Sequence, residues 1–155
     1  MLFKRLNRDT PERVFIVTRN SEGATITIDS VVQWETASAS VDGVRVRAPD
    51  ASHAGSITGI MDAALTNTSY GLVQIYGYRS TSRIFQTNTS QDTGAFLEAS
   101  LGAVHLSSYA SSQTIDSNTT VSITHRPGPY FILAESIASS SVSATISAKL
   151  FARCM

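Results

Sequence analysis

Residues 70–80 read Tyr70-Gly71-Leu72-Val73-Gln74-Ile75-Tyr76-Gly77-Tyr78-Arg79-Ser80. Aromatic and β-branched residues fill this run, and such side chains pack well on a pleated, half-buried surface. A glycine stands near each end. Alternation predicts a strand with Tyr70, Leu72, Gln74, Tyr76 and Tyr78 on one face and Val73, Ile75 and Gly77 on the other. The same period of two runs outward in both directions. It is clearest near the C-terminus, where Val142, Ala144, Ile146, Ala148, Leu150 and Ala152 share a face. Ser141, Ser143, Thr145, Ser147, Lys149 and Phe151 share the other.

Strands are predicted over residues 14–18, 24–34, 43–47, 70–78, 82–87, 95–100, 103–108, 119–125, 130–136 and 141–152. The breaks between them are turn chemistry: Asn20 to Gly23, Asp42-Gly43, Asp92-Thr93-Gly94 and Arg126-Pro127-Gly128-Pro129. Strand signals this close together point to a sandwich or a barrel. Only residues 57–65 offer a helical spacing, through Ile57, Ile60, Met61, Ala64 and Leu65, and Gly59 weakens it. No internal repeat and no linker is visible. The fold expected is therefore all-β: a single compact β-sandwich or barrel domain over residues 14–155, preceded by an extended basic N-terminal arm, residues 1–13. Lys4, Arg5, Arg8 and Arg13 cluster in that arm, and Pro11 discourages helix at Thr10.

With 155 residues the chain suffices for one ordinary domain with its own core. Its net charge is +0, so no overall field favours nucleic acid or an anionic membrane. Charged residues are 15%, while serine and threonine make up about a quarter of the chain, which makes a polar, weakly charged surface. Hydrophobic residues at 42%, in a regular pattern, argue against disorder. A lone cysteine, Cys154, excludes an internal disulfide and reads as a free thiol of a protein made in a reducing cytosol. The first residues contain no long apolar run, so neither a signal peptide nor a membrane span is expected.

Catalytic chemistry finds little footing. His53, His105 and His125 do not fall at ligand spacing with one another or with acids, and no metal site is expected. Serine is abundant, but no Gly-x-Ser-x-Gly marks a nucleophile. No phosphate loop or dinucleotide fingerprint appears, so no cofactor is expected. Acids occur singly in turns (Asp42, Asp50, Asp92, Asp116), where they close loops.

The basic residues carry more. Of twelve, only Lys4 and Lys149 are lysine and the rest are arginine, which makes bidentate contacts and is enriched at protein interfaces where lysine is depleted. Arg45 and Arg47 share a strand face, and Arg79 and Arg83 flank the turn after the tyrosine-rich strand. One reading is an interface meeting acidic patches on a partner; the other is ordinary solubility or codon bias. Tyr70, Tyr76 and Tyr78 read either as a protein or sugar contact or as an amphipathic sheet face whose hydroxyls reach water. The partner-binding candidates are thus Lys4, Arg5, Arg8, Arg13, Arg45, Arg47, Arg79, Arg83, Tyr70, Tyr76 and Tyr78.

Taken together, Ala54-Gly55-x-x-x-Gly59, then Tyr70-Gly71-Leu72-Val73-Gln74-Ile75-Tyr76-Gly77-Tyr78, then Gly94-x-Phe96-Leu97 and Gly102-x-Val104-His105-Leu106 form a pattern over residues 54–106. It resembles the capsid decoration, or cement, proteins of tailed bacteriophages, in which a Gly-x-Val-Gln-x-[Tyr/Trp]-Gly strand is followed by a second strand and a glycine-bounded segment. The long basic arm departs from the shortest members. The resemblance implies a virion protein on the capsid surface, made in the host bacterial cytoplasm, without catalysis. Such a protein acts as a homotrimer and clamps neighbouring copies of the major capsid protein, with no specific nucleic acid and no membrane as partner. Other virion parts (a head–tail connector, a tail or fibre-tip domain) and a carbohydrate-binding β-sandwich are the alternatives.

Overall fold

The computed structural model describes residues 12–36, 42–50, 56–86, 90–99, 106–108, 130–141 and 143–154. They contain eleven strands: β1 (Arg13–Asn20), β2 (Val31–Trp34), β3 (Arg45–Arg47), β4 (Ile57–Met61), β5 (Tyr70–Arg79), β6 (Arg83–Gln86), β7 (Phe96–Ala99), β8 (Leu106–Ser108), β9 (Tyr130–Leu133), β10 (Ala144–Ser147) and β11 (Leu150–Arg153). The all-β expectation holds. In space the first five run β1-β3-β2-β4-β5, and β5 pairs back onto β1, which closes a five-stranded barrel. The predicted strand over residues 119–125 lies outside the described residues, as do Lys4, Arg5, Arg8 and all three histidines. Among the described residues, no helix is long and apolar enough to cross a membrane.

Two sequence readings change. Residues 57–61 are strand β4, buried at every position, and not the start of a helix. Ile57, Thr58 and Ile60 favour the pleat. A Cβ on Gly59 would strike the Gln74 carbonyl and Val73 Cγ1, so the glycine is what lets β4 approach β5 closely.

The tyrosine ladder is also broken. β1 pairs Arg19 with Tyr70, Val17 with Leu72, Phe15 with Gln74 and then Val14 with Tyr76, leaving Ile75 as an extra residue. Paired residues share a face, and Val17 and Val14 lie on opposite faces of β1, so Tyr70 and Tyr76 do too. Ile75 turns into the barrel core. Gln74 supports the bulge: its Nε2 donates to the carbonyls of Tyr76, Gly77 and Tyr78 at 3.3, 3.2 and 3.1 Å. At Gly77, φ is +100° and a Cβ would collide with the Glu12 carbonyl, so only glycine fits.

The second half of the chain repeats the first, although no repeat is legible in the sequence. β1 pairs parallel with β3, and β6 parallel with β8. β2 lies antiparallel between β3 and β4, as β7 does between β8 and β9. Register agrees residue by residue: Val31 meets Ile60 as Phe96 meets Ile132, Val32 meets Gly59 as Leu97 meets Phe131, and Trp34 meets Val46 as Ala99 meets Leu106.

The loop bonds repeat as well. Ile26 and Leu65 exchange two backbone bonds, and so do Gln91 and Ile137. Asp29 N–H donates to the Met61 carbonyl and Met61 N–H to that of Ser30; Gly94, Leu133 and Ala95 do the same. Asp29 (φ 65°) and Gly94 (φ 91°) are both left-handed. β10 and β11 together take the place of β5: β10 pairs with β6, and β11 with β9. The end of β5, Tyr76–Arg79, pairs with β11 and so belongs to both units.

Each unit has its own core. Val32, Val46, Met61, Leu65 and Val73 fill the first barrel. Their counterparts Leu97, Leu106, Leu133, Ile137 and Leu150 fill the core of the second unit, with Phe131 where the first has Gly59. Val31, Ile57 and Ile60, on the outside of the first barrel, belong to that second cluster. The second unit is therefore built onto the outer face of β2 and β4. That shared cluster joins the two units through apolar burial.

Candidate interaction surface

Of the arginines expected at an interface, Arg79 is not available to a partner. It is buried, and all five of its N–H donors find acceptors in its own chain. Nε and Nη2 reach Asp29 Oδ1 at 3.1 and 2.6 Å, Nη2 reaches the Met61 carbonyl at 2.9 Å, and Nη1 reaches Asp62 Oδ1 and Gln74 Oε1 at 3.2 Å. The planar fork of arginine suits this site, and lysine would leave several acceptors empty. Arg79 thus ties the bulged strand to the outside of the first barrel. Spacing alone gave no sign of this, because most of the acceptors, on Asp29, Met61 and Asp62, lie far away in sequence.

Arg45 and Arg47 do share one face, and their own acids hold them. Arg45 Nε stands 3.0 Å from Asp42 Oδ2. Asp42 also accepts the N–H groups of Val44 and Arg45 at 3.0 Å. These bonds, the Val44 one foremost, with Arg45 beside the carboxylate, hold its carboxyl below the usual range. Arg47 lies 3.8 Å from Glu22 and 3.6 Å from Glu35. Arg83 Nη1 donates to Thr27 Oγ1 at 2.8 Å. Arg13 opens β1, exposed, with its guanidinium 5.8 Å from the Phe15 ring centroid. The arginines largely organise turns and the junction between the units, and the large exposed apolar side chains lie elsewhere.

On the outside of the first barrel Val17 and Leu72, directly paired, are 62% and 45% exposed, and Tyr70 beside them is 65% exposed. On the second unit the register sets Tyr78, Phe151, Ile132 and Phe96 side by side across β5, β11, β9 and β7. Phe151 and Phe96 are 48% and 54% exposed, and Tyr78 meets Phe151 edge-on at 5.5 Å. Sequence reading placed Phe151 correctly on a polar stripe but did not weigh it. A phenylalanine ending a run of Ser, Thr and Lys was the available signal.

Cys154 is free, and partial burial against the second core pushes its thiol up to about 12, so it stays protonated and inert at neutral pH. Among the described residues, no three His, Cys, Asp or Glu side chains gather closely enough to hold a metal ion. No family model matches the chain, and no curated protein matches it.

Proposed function

We propose that this chain is a structural protein of a bacteriophage head, binding the outer face of the shell and clamping neighbouring major capsid subunits without catalysis. The single observation behind it is the resemblance of residues 54–106 to decoration proteins. The double unit with exposed apolar side chains on both halves is in keeping with that reading. A clamp needs a stiff body and contact area rather than a cleft, and many weak identical contacts on a lattice add by multivalency. The basic residues near the N-terminus, Lys4, Arg5, Arg8 and Arg13, would favour contact with acidic surface on the capsid.

Purified protein mixed with mature, undecorated heads tests this by co-sedimentation. Saturable binding that raises the temperature at which the heads rupture is the expected result. Absence of binding overturns it. A second reading, a tail or fibre-tip domain, draws on the exposure of Tyr70, since solvent-facing aromatics suit a contact at a tip.

A further inference from the structure

The outer face of β11, β9 and β7 carries a distinctive pattern. Ile132 sits at its centre, with Phe151 on one side and Phe96 on the other. Two residues along the strands, on the same face, Arg153 stands on β11 and Glu98 on β7, either side of position 130. Neither forms an ion pair among the described residues. The row is thus symmetric about β9 in its apolar residues and antisymmetric in its charges.

The equivalent face of the first unit is not left open. Val31 and Ile60, the counterparts of Phe96 and Ile132, are fully buried beneath the second unit. The same β scaffold therefore already packs a β partner on this face once, within the chain.

We infer that a second copy of this chain docks on the β11–β9–β7 face of the first, about a two-fold axis parallel to β9. Rotation about that axis exchanges β11 with β7. It lays Phe151 of each copy over Phe96 of the other, Ile132 over Ile132, and Arg153 opposite Glu98. Two sheets packed face to face lie about 10 Å apart, a gap these side chains span. The interface is isologous and closes at two copies, in place of the three-fold arrangement that the resemblance implies. Aromatic anchors at the centre with a charged pair at each side is the usual division of labour, the first for affinity and the second for register.

Sedimentation of the full-length chain over a concentration series tests this. The wild type is expected as a concentration-dependent dimer, and Phe151→Glu as a monomer. Arg153→Glu and Glu98→Arg each set like charges opposite one another twice per dimer and weaken association roughly tenfold or more. The double variant Arg153→Glu/Glu98→Arg restores pairing to near the wild-type constant. Thermal unfolding of each variant, followed by circular dichroism, checks that these changes leave the fold intact. A wild type that stays monomeric, a trimer indifferent to Phe151→Glu, or a double variant no better than the singles overturns the pairing. The head-binding assay is read separately: binding without dimerisation sinks this inference alone, and dimerisation without binding sinks only the capsid reading.

Discussion

The two β units share a topology and a register and differ in almost every side chain. Where the first has Gly59, the second has Phe131; where the first carries Asp29 and Asp62, the second carries Gly94 and Ala134. Among these counterparts Ile60 and Ile132 are a rare identity. The difference follows from position. The outside of β2 and β4 is core, because the second unit covers it, and there Val31 and Ile60 are buried while the nearby carboxylates receive Arg79. The corresponding outside of β7 carries the exposed Phe96, and Gly94 and Ala134, the counterparts of Asp29 and Asp62, offer no carboxylate to an arginine there. A backbone pattern is thus kept while each side chain answers to what lies against it.

The comparison can be broken most severely at Phe131. Phe131→Ala removes the largest fully buried side chain among the described residues and gives the second unit a small residue where the first has Gly59; a loss of about 4 kcal/mol is expected in urea unfolding. A loss below about 1 kcal/mol would mean that the second core collapses around the gap as the first does around Gly59. Arg79→Ala comes next, at about 3 kcal/mol, because it strands Asp29 and Asp62 without a counter-charge. Adding Asp29→Gly and Asp62→Ala, the residues that the second unit carries, should recover more than half of that loss. No recovery would show that the contacts to Gln74 and the Met61 carbonyl matter more than the charges.

Thr68 is a smaller case. Its φ of 66° is left-handed, a poor fit for a β-branched residue, yet the turn is kept because its N–H donates to the Asn20 carbonyl at 2.9 Å. Thr68→Asn should stabilise the chain by about 0.5–1 kcal/mol, read as a raised midpoint. An unchanged midpoint would place the preference outside the backbone.

The smallest effect concerns Lys149, whose counterpart is the exposed Leu72. Lys149 Nζ lies 3.0 Å from Glu135, which raises the lysine and lowers the carboxyl from their ordinary values. The Glu135 contribution is complete above its unfolded pKa and is lost as pH falls through the lowered folded one. The lysine contribution is complete below its unfolded pKa and is lost as pH rises through the raised one. Lys149→Leu should therefore cost slightly at neutral pH, and the difference from wild type should vanish at both extremes. A difference independent of pH would point to packing of the lysine stem instead.

Much of the fold was legible because alternation is local. The strand over residues 141–152 came through as β10 and β11, and the runs near residues 14, 43, 70, 82, 95 and 130 became strands. The helical spacing of residues 57–65 misled because a strand buried on both faces has no alternation to show. Ile75 misled for another reason: a bulge is set by what the neighbouring strand does, and β1 is more than fifty residues away in sequence. The apolar row on the second unit escaped notice because its members lie on three separate strands.

The sequence by itself determined an all-β chain of turns and short strands with a polar, weakly charged surface. These follow from side-chain shape, period and composition, which act over a few residues. Only the tertiary structure decided that the chain folds as one β unit built twice. It also decided that Arg79 is a buried tie rather than a partner contact, and that Phe151, Ile132 and Phe96 stand side by side on one sheet face. Each of these depends on pairing between distant segments, where loops of unequal length hide the repeat and burial is settled by what packs alongside.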